Sequence, residues 1–249
     1  AMLYLCMKIH APTCDDALAL DAFMRYLATN IDRPFVIQRP ALVGGGQQKL
    51  KISSFTDSSH GDTDDVRRRS TLGEIHFCGT TPITWSCRKN TRTDHCSNSS
   101  EMAAASKAVH DTVWMRSLLI EIGQWDDDER APMWCDSNGT IAIGNGEVGL
   151  TERNKFFEID YYHFRDYQNS GEIAIGRVDT TMNPADFFTK KLSPIKCDFY
   201  IDIISGSAIT TPGFPNSLPD EVKNCLISES MYADHIPKYV HLQPTQDRS

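Results

Sequence analysis

Residues 50–57 read Leu-Lys-Ile-Ser-Ser-Phe-Thr-Asp, and the reading of this stretch decides the fold. Ile52 and Phe55, flanked by polar neighbours, give the pattern of a strand that ends on a carboxylate, Asp57. Beyond a charged loop from Gly61 to Arg69, Leu72–Cys78 and Ile83–Cys87 read as two further strands, separated by the hairpin-like turn Gly79-Thr80-Thr81-Pro82. The strongest helical pattern of the chain follows, Ser99 to Ile122, with Met102, Ala105, Val109 and Val113 at helical spacing and Gly123 closing it. Then come a short buried strand at Met133–Asp136, a helix from Asn138 to Asn145 and an amphipathic helix from Lys155 to Tyr167. A strand at Glu172–Val178 and a helix at Pro184–Leu192 complete the series. Three strands, a helix, and then strands alternating with helices predict an α/β fold with one mixed sheet and helices packed on its faces.

Outside this region the texture changes. Residues 1–48 read as a short strand, a helix from Asp15 to Thr29 and an extended piece that ends on Gly44-Gly45-Gly46, a hinge or linker composition. From Ser193 onward, prolines at 194, 212, 215, 219, 237 and 244 punctuate a segment with little period. The expectation for 193–249 is an extended tail with one short helix at Asp220–Ser228.

The totals bound the function. An apolar fraction of 40% is that of a globular chain, and no apolar run reaches the ~20 residues of a membrane helix. The formal charge of −8 argues against a general nucleic-acid coat, which would be basic, but not against an enzyme whose site gathers carboxylates. Cys6, Cys14, Cys78, Cys87, Cys96, Cys135, Cys197 and Cys225 are scattered, without the paired spacing of a zinc site, which points to free thiols in a reducing intracellular compartment. Asp94-His95-Cys96 is the one compact trio of thiol-hydrolase types, and it reads as a surface loop.

Four carboxylates stand where a strand ends or a helix begins: Asp57, Glu101, Asp136 and Asp186. Each has an ordinary explanation. Asp57 suits a turn; Glu101, three residues after Asn98, suits a capping box; Asp136 precedes a cap site at Ser137-Asn138; Asp186 suits the first turn of a helix. Together they sit at positions that can converge at one end of a mixed sheet, where they would repel unless cations neutralised them. Mg²⁺ prefers such oxygen ligands and leaves positions open for phosphate oxygens.

The residues around these carboxylates resemble the ribonuclease H domain of copia-type LTR retrotransposons. The resemblance runs in order through Phe55-Thr56-Asp57-Ser58, Arg68-Arg69-Ser70-Thr71 and Pro82-Ile83-Thr84-Trp85-Ser86, then Glu101-Met102-Ala103-Ala104 to Leu119. It continues through Trp134-Cys135-Asp136-Ser137-Asn138, Arg153 with Lys155, Gly171-Glu172-Ile173, and Pro184-Ala185-Asp186-Phe187 with Thr189-Lys190. It implies a ribonuclease H-like domain over 49–192, with a five-stranded mixed sheet: three antiparallel strands, then parallel ones. It also implies hydrolysis of the RNA strand of RNA–DNA hybrids with two Mg²⁺ ions, for which Mn²⁺ can substitute. Asp57, Glu101, Asp136 and Asp186 fall on the family's catalytic, metal-binding positions. Arg67, Arg68, Arg69, Arg88, Lys89 and Lys190 are candidate phosphate contacts to a hybrid or a structured RNA. The sequence departs from the family in the Ser58-Ser59-His60-Gly61 loop and across Lys155 to Tyr162, where two family histidines are replaced; His163 nearby reads as a helix-surface residue.

Pro12-Thr13, Ala19-Leu20 and Met24-Arg25-Tyr26-Leu27 resemble the segment that joins polymerase to nuclease in this family, so 1–48 reads as a truncated connection remnant. No Tyr-x-Asp-Asp polymerase sequence is present. Two functions follow. One is an active ribonuclease H-type endonuclease. The other is a domesticated, non-catalytic subunit whose nuclease fold serves as a packing module in a larger assembly, with protein partners bound through 1–48 and 193–249.

Overall fold

The computed structural model describes residues 2–37, 49–63, 65–79, 81–149 and 157–205. The chain runs α1 (Met2–Met7), α2 (Cys14–Thr29), β1 (Ile52–Ser59), β2 (Thr71–Cys78), β3 (Thr81–Lys89) and α3 (Ser97–Glu121). It continues through β4 (Ala131–Cys135), α4 (Asn138–Gly144), α5 (Glu158–Ser170), β5 (Ile173–Arg177), α6 (Asp186–Thr189) and α7 (Pro194–Ile204). The five strands form one sheet in the order β3-β2-β1-β4-β5. The β1–β2 and β2–β3 pairs are antiparallel and the β1–β4 and β4–β5 pairs parallel, the mixed sheet that the sequence predicts.

Alternation along the central strands divides the core in two, because successive side chains point to opposite faces. On one face Phe55, Ile75, Phe77 and Trp134 pack beneath α6 and α7, with the Phe55 and Phe77 rings edge-to-face at 5.7 Å. On the other, Met133, Cys135, Ile173 and Ile175 pack against Met102, Ala105, Ala108 and Val109 of α3 and Tyr161 and Phe164 of α5. Over β1 and β2 that second face turns polar. Ser54, Ser58, Glu74 and His76 lie buried beneath α3, with the Ser54 and Thr112 hydroxyls hydrogen-bonded at 2.7 Å and Ser58 donating to Ser100.

Two expectations about the flanks are corrected. The apolar start is a helix, α1, not a strand; a run so short fits either by composition. Its Tyr4 hydroxyl donates to Asp16, whose carboxylate closes the capping box of α2 with Thr13. The second correction concerns the boundary at 192. Residues 194–204 form a helix rather than an extended tail, because Ser193 caps it by accepting from the Lys196 amide and Pro194 stands at its first turn. Proline is welcome there, since its missing N–H would have no partner in any case. Tyr200 and Ile203 are buried in the Phe55 core, so the packed unit extends through Ile204. The segment before residue 38 docks on this helix: Arg33 pairs with Asp198 and Asp202 at 3.3 and 3.0 Å, and the Val36 amide donates to the Ser205 carbonyl. The glycine run at 44–46, the segment 150–156 and the helix expected at 220–228 lie outside the described residues.

Tyr200→Ala measures how far α7 belongs to the domain. Truncating this buried ring should lower stability by about 3–5 kcal/mol, read as a shift in denaturant midpoint at unchanged slope. A shift near zero would return 193–204 to the status of a tail.

Candidate active site

Asp57 and Asp136 meet because β1 and β4 run parallel in a particular register. Phe55 lies opposite Trp134, so two residues further along each strand Asp57 faces Asp136 at the same end of the sheet and on the same face. Asp186 arrives from α6, the short helix that covers this end. Asn183 fixes the approach: its side-chain amide donates to the Thr56 carbonyl at 3.0 Å, and its oxygen accepts from the Ala185 amide at 3.2 Å. Gly73 on β2 lets α6 sit so close. A Cβ there would lie 2.6 Å from Thr189 Cγ2 and 3.0 Å from both the Ala185 carbonyl oxygen and Phe188 Cβ.

One carboxylate oxygen from each of Asp57, Asp136 and Asp186 falls within 4.8 Å of the others, an arrangement able to hold a metal ion. Asp57 and Asp186 are 1% and 5% exposed. Glu101 reaches the same end of the sheet from α3, near the charges of Asp57 and Asp136. The ordinary reading holds for Asp186, which stands in the first turn of α6, but not for Glu101. Cys96, with Ser99, caps α3, so Glu101 has no capping role, and Ser137, not Asp136, caps α4.

The electrostatics follow from this crowding. Burial first and the Asp57 charge second push the Glu101 carboxyl up to about 8; burial and Asp57 likewise raise Asp186 to about 7. Burial raises Asp57 as well, against the opposing pull of Thr189 and Lys190. Glu101 Oε2 is buried without a hydrogen-bond partner. Lys190 stands in the centre, 2.7 Å from Asp186, 3.2 Å from Asp57 and 3.9 Å from Asp136. Its ammonium is held charged above its usual range by these carboxylates, although burial opposes this. An excess of buried negative charge, one orphaned oxygen and a lone ammonium as counterion make a donor set that fits divalent cations with oxygen preference.

The basic residues expected at phosphates occupy varied settings. Lys190 lies inside the carboxylate cluster, not on a flanking surface; its spacing of four from Asp186 along a helix was the available signal. Arg69 pairs with Asp65 at 2.8 Å, Arg88 with Glu74 and Lys89 with Asp62, so each already has a carboxylate partner. Arg67 and Arg68 are exposed, Arg68 with φ of 54°. Sequence reasoning did not find Thr189, whose hydroxyl donates to Asp57, nor Asn183. His163 is no simple surface residue: it lies 3.0 Å from Ser106 and stacks on His110 in the seam between α3 and α5. The Asp94-His95-Cys96 trio is a loop leading into α3, with Asp94 accepting from Asn90 and Cys96 at the helix cap.

No family model matches the chain. In sequence it is 29% identical over 188 residues to the retrovirus-related Pol polyprotein from transposon RE2 of Arabidopsis thaliana, and 29% over 187 residues to that from transposon RE1. The matches take in 75% and 74% of this chain but only 12% of either relative, so the chain spans a small part of the proteins it resembles. The Pol polyprotein from transposon TNT 1-94 of Nicotiana tabacum matches at 24% over 59% of the chain and 11% of its own length. Among solved structures, RNase H1 from Halobacterium salinarum superposes at a TM-score of 0.42 and 12% identity, over 56% of this chain and 94% of that one. The N-terminal RNase H domain of rv2228c from Mycobacterium tuberculosis gives 0.42 and 14%, over 64% and 99%. Superpositions this loose transfer no residue roles.

The raised carboxyls set a pH dependence. Groups whose folded pKa lies above the unfolded value lend stability that is complete below the unfolded value of about 4.3 and lost as pH rises through the folded one. Metal-free protein should therefore lose thermal stability between pH 5 and pH 8 as Asp186 and then Glu101 ionise. Added Mg²⁺ should restore more of it at pH 8 than at pH 6, since protons compete with the ion. A metal-induced rise in Tm that is equal at both pH values would contradict this account of the site.

By sequence the chain is similar to retrovirus-related Pol polyproteins from plant transposons over 75% and 74% of its length, and its described core is one five-stranded mixed sheet with helices on its faces.

Proposed function

We propose that the chain is a ribonuclease H-type endonuclease that hydrolyses the RNA strand of RNA–DNA hybrids. The observation that carries this reading is the gathering of Asp57, Asp136 and Asp186 oxygens within 4.8 Å at one end of the sheet, with Glu101 beside them. An ion pair needs one acid for one lysine, whereas clustered carboxylates supply the oxygen ligands that metal-assisted phosphoryl hydrolysis uses. When bound, two Mg²⁺ ions would activate the attacking water and stabilise the leaving 3′ oxygen.

In this reading Asp57, Asp136, Asp186 and Glu101 are the metal ligands. Asp57 is held by the Thr189 hydroxyl, and Asn183 and Gly73 set the position of α6 and hence of Asp186. Lys190 offsets part of the cluster's charge from 2.7–3.9 Å, and would have to give up that position to cations held by the same carboxylates. Arg67, Arg68, Arg69, Arg88 and Lys89 lie on the β2 and β3 side, where Arg67 and Arg68 are exposed and Arg69, Arg88 and Lys89 would exchange their carboxylate partners for phosphates of the hybrid backbone. The non-catalytic alternative has no comparable observation in its favour, since the acid set is intact.

Full-length chain should cleave the RNA of a hybrid duplex in Mg²⁺ or Mn²⁺ and leave the DNA strand whole. Asp57→Asn and Asp136→Asn should each reduce the rate by at least about 10²–10³-fold, the scale seen when one stabilising group is removed from a transition state. Folded protein without hybrid cleavage under either metal would overturn the reading.

A further inference from the structure

Beneath α3, away from the four acids just described, the sheet carries a second convergence of ligand-type groups. Glu74 and His76 are alternate residues of β2 and point to the same face, opposite Thr56 and Ser54 of β1. Asp111 comes down from α3. One ligand atom from each of the three lies within 4.8 Å of the others. His76 is 0% and Glu74 3% exposed. A buried carboxylate and imidazole together need every polar atom satisfied. Two are not: His76 Nε2 and Glu74 Oε2 have no hydrogen-bond partner, and they face each other at 3.7 Å. Arg88 engages only the other oxygen of Glu74, Oε1.

The hydrogen bonds behind His76 settle which of its nitrogens carries the proton. Thr112 Oγ1 lies 2.7 Å from the Ala108 carbonyl and 2.7 Å from Ser54 Oγ. A hydroxyl has one proton, and a carbonyl can only accept, so the Thr112 proton goes to Ala108. Ser54 must then donate to Thr112, and its remaining contact, His76 Nδ1 at 2.8 Å, must donate to Ser54. This leaves an unprotonated Nε2 with its lone pair directed at the Glu74–Asp111 space. A second-sphere partner that fixes the tautomer in this way is the arrangement in which histidine binds metal. Burial also depresses His76 to about 4, so the ring is neutral near physiological pH.

We propose that Glu74, His76 and Asp111 form a second cation site, for a divalent transition ion of the zinc type, separate from the four-acid cluster. One nitrogen and two carboxylate oxygens form a three-ligand zinc set with a fourth position left for water. The 3.7 Å between Nε2 and Oε2 fits ligands that each stand ~2.0–2.2 Å from a shared ion. An imidazole ligand favours zinc-like ions over Mg²⁺, which the all-oxygen cluster prefers. The ion would satisfy both orphaned atoms at once, with Arg88 remaining on the other Glu74 oxygen. The site ties β2 to α3.

The test is a calorimetric titration of chelator-stripped, full-length chain with Zn²⁺ in excess Mg²⁺. One Zn²⁺ should bind per chain. Asp57→Asn should leave that binding intact, so the outcome does not depend on the nuclease reading. Asp111→Asn, which removes no apolar packing, should weaken it at least tenfold, and Ser54→Ala by about 10–100-fold through loss of the tautomer lock. Co²⁺ in place of Zn²⁺ should give a visible spectrum without a thiolate charge-transfer band. The proposal is overturned by absence of Zn²⁺ binding, by binding that survives Asp111→Asn and Ser54→Ala, by binding lost only in Asp57→Asn, or by a thiolate band.

Discussion

Parallel pairing of β1 with β4, Phe55 against Trp134, is the constraint on which the rest of the molecule depends. Parallel neighbours share a direction, so the ends of both strands fall at one edge of the sheet, and the acids two residues beyond that pair are carried there together. The same pairing places Phe55 and Trp134 on one face and Ser54 and Met133 on the other, and so divides the apolar side chains into two cores. A register slip of one residue would turn Asp57 into the α3 core and Ser54 toward α7, inverting both layers at once. Strong specification of this one pair therefore specifies the site.

The site is built against its own electrostatics. Four carboxyls are crowded where burial already disfavours charge, and neighbouring elements hold them there by short, directed contacts: Asn183 on the Thr56 carbonyl, Thr189 on Asp57, and α6 against the bare backbone of Gly73. Repulsion of this kind is tolerated at functional positions, where the rest of the fold supplies the stability that the site withholds. Lys190 relieves it within the chain. A single ammonium at 2.7–3.9 Å from three acids cannot neutralise them all, and burial first, with the Asp57 charge second, keeps Glu101 and Asp186 raised.

Much of the fold was legible in local pattern. Turn residues at Gly79 to Pro82, the long period of Met102 to Val113 and the glycine after Ile122 mark elements whose bounds shifted by only a few residues in the structure. The flanks were less legible, because local signals there have two meanings. Proline 194 reads as a breaker in a proline-punctuated stretch, yet after Ser193 it starts a helix, and only the buried environment of Tyr200 and Ile203 shows that the helix belongs to the core. The apolar run at the start likewise fits strand or helix until Asp16 is seen to meet Tyr4.

For the site, sequence alone determined the kinds of groups and the strand ends and helix starts on which they stand: Asp57, Glu101, Asp136 and Asp186 at element boundaries beside a sheet. Residue type and local period are properties of short windows, and short windows suffice for them. Tertiary structure decided which of these groups share a pocket, that Lys190 sits among them and not on a phosphate-facing surface, and that Glu74, His76 and Asp111 meet at all. Those facts depend on pairings between β1 and β4, β2 and α3, and β1 and α6. Such pairings are made by burial and register across tens of residues, and no local stretch of the chain encodes them.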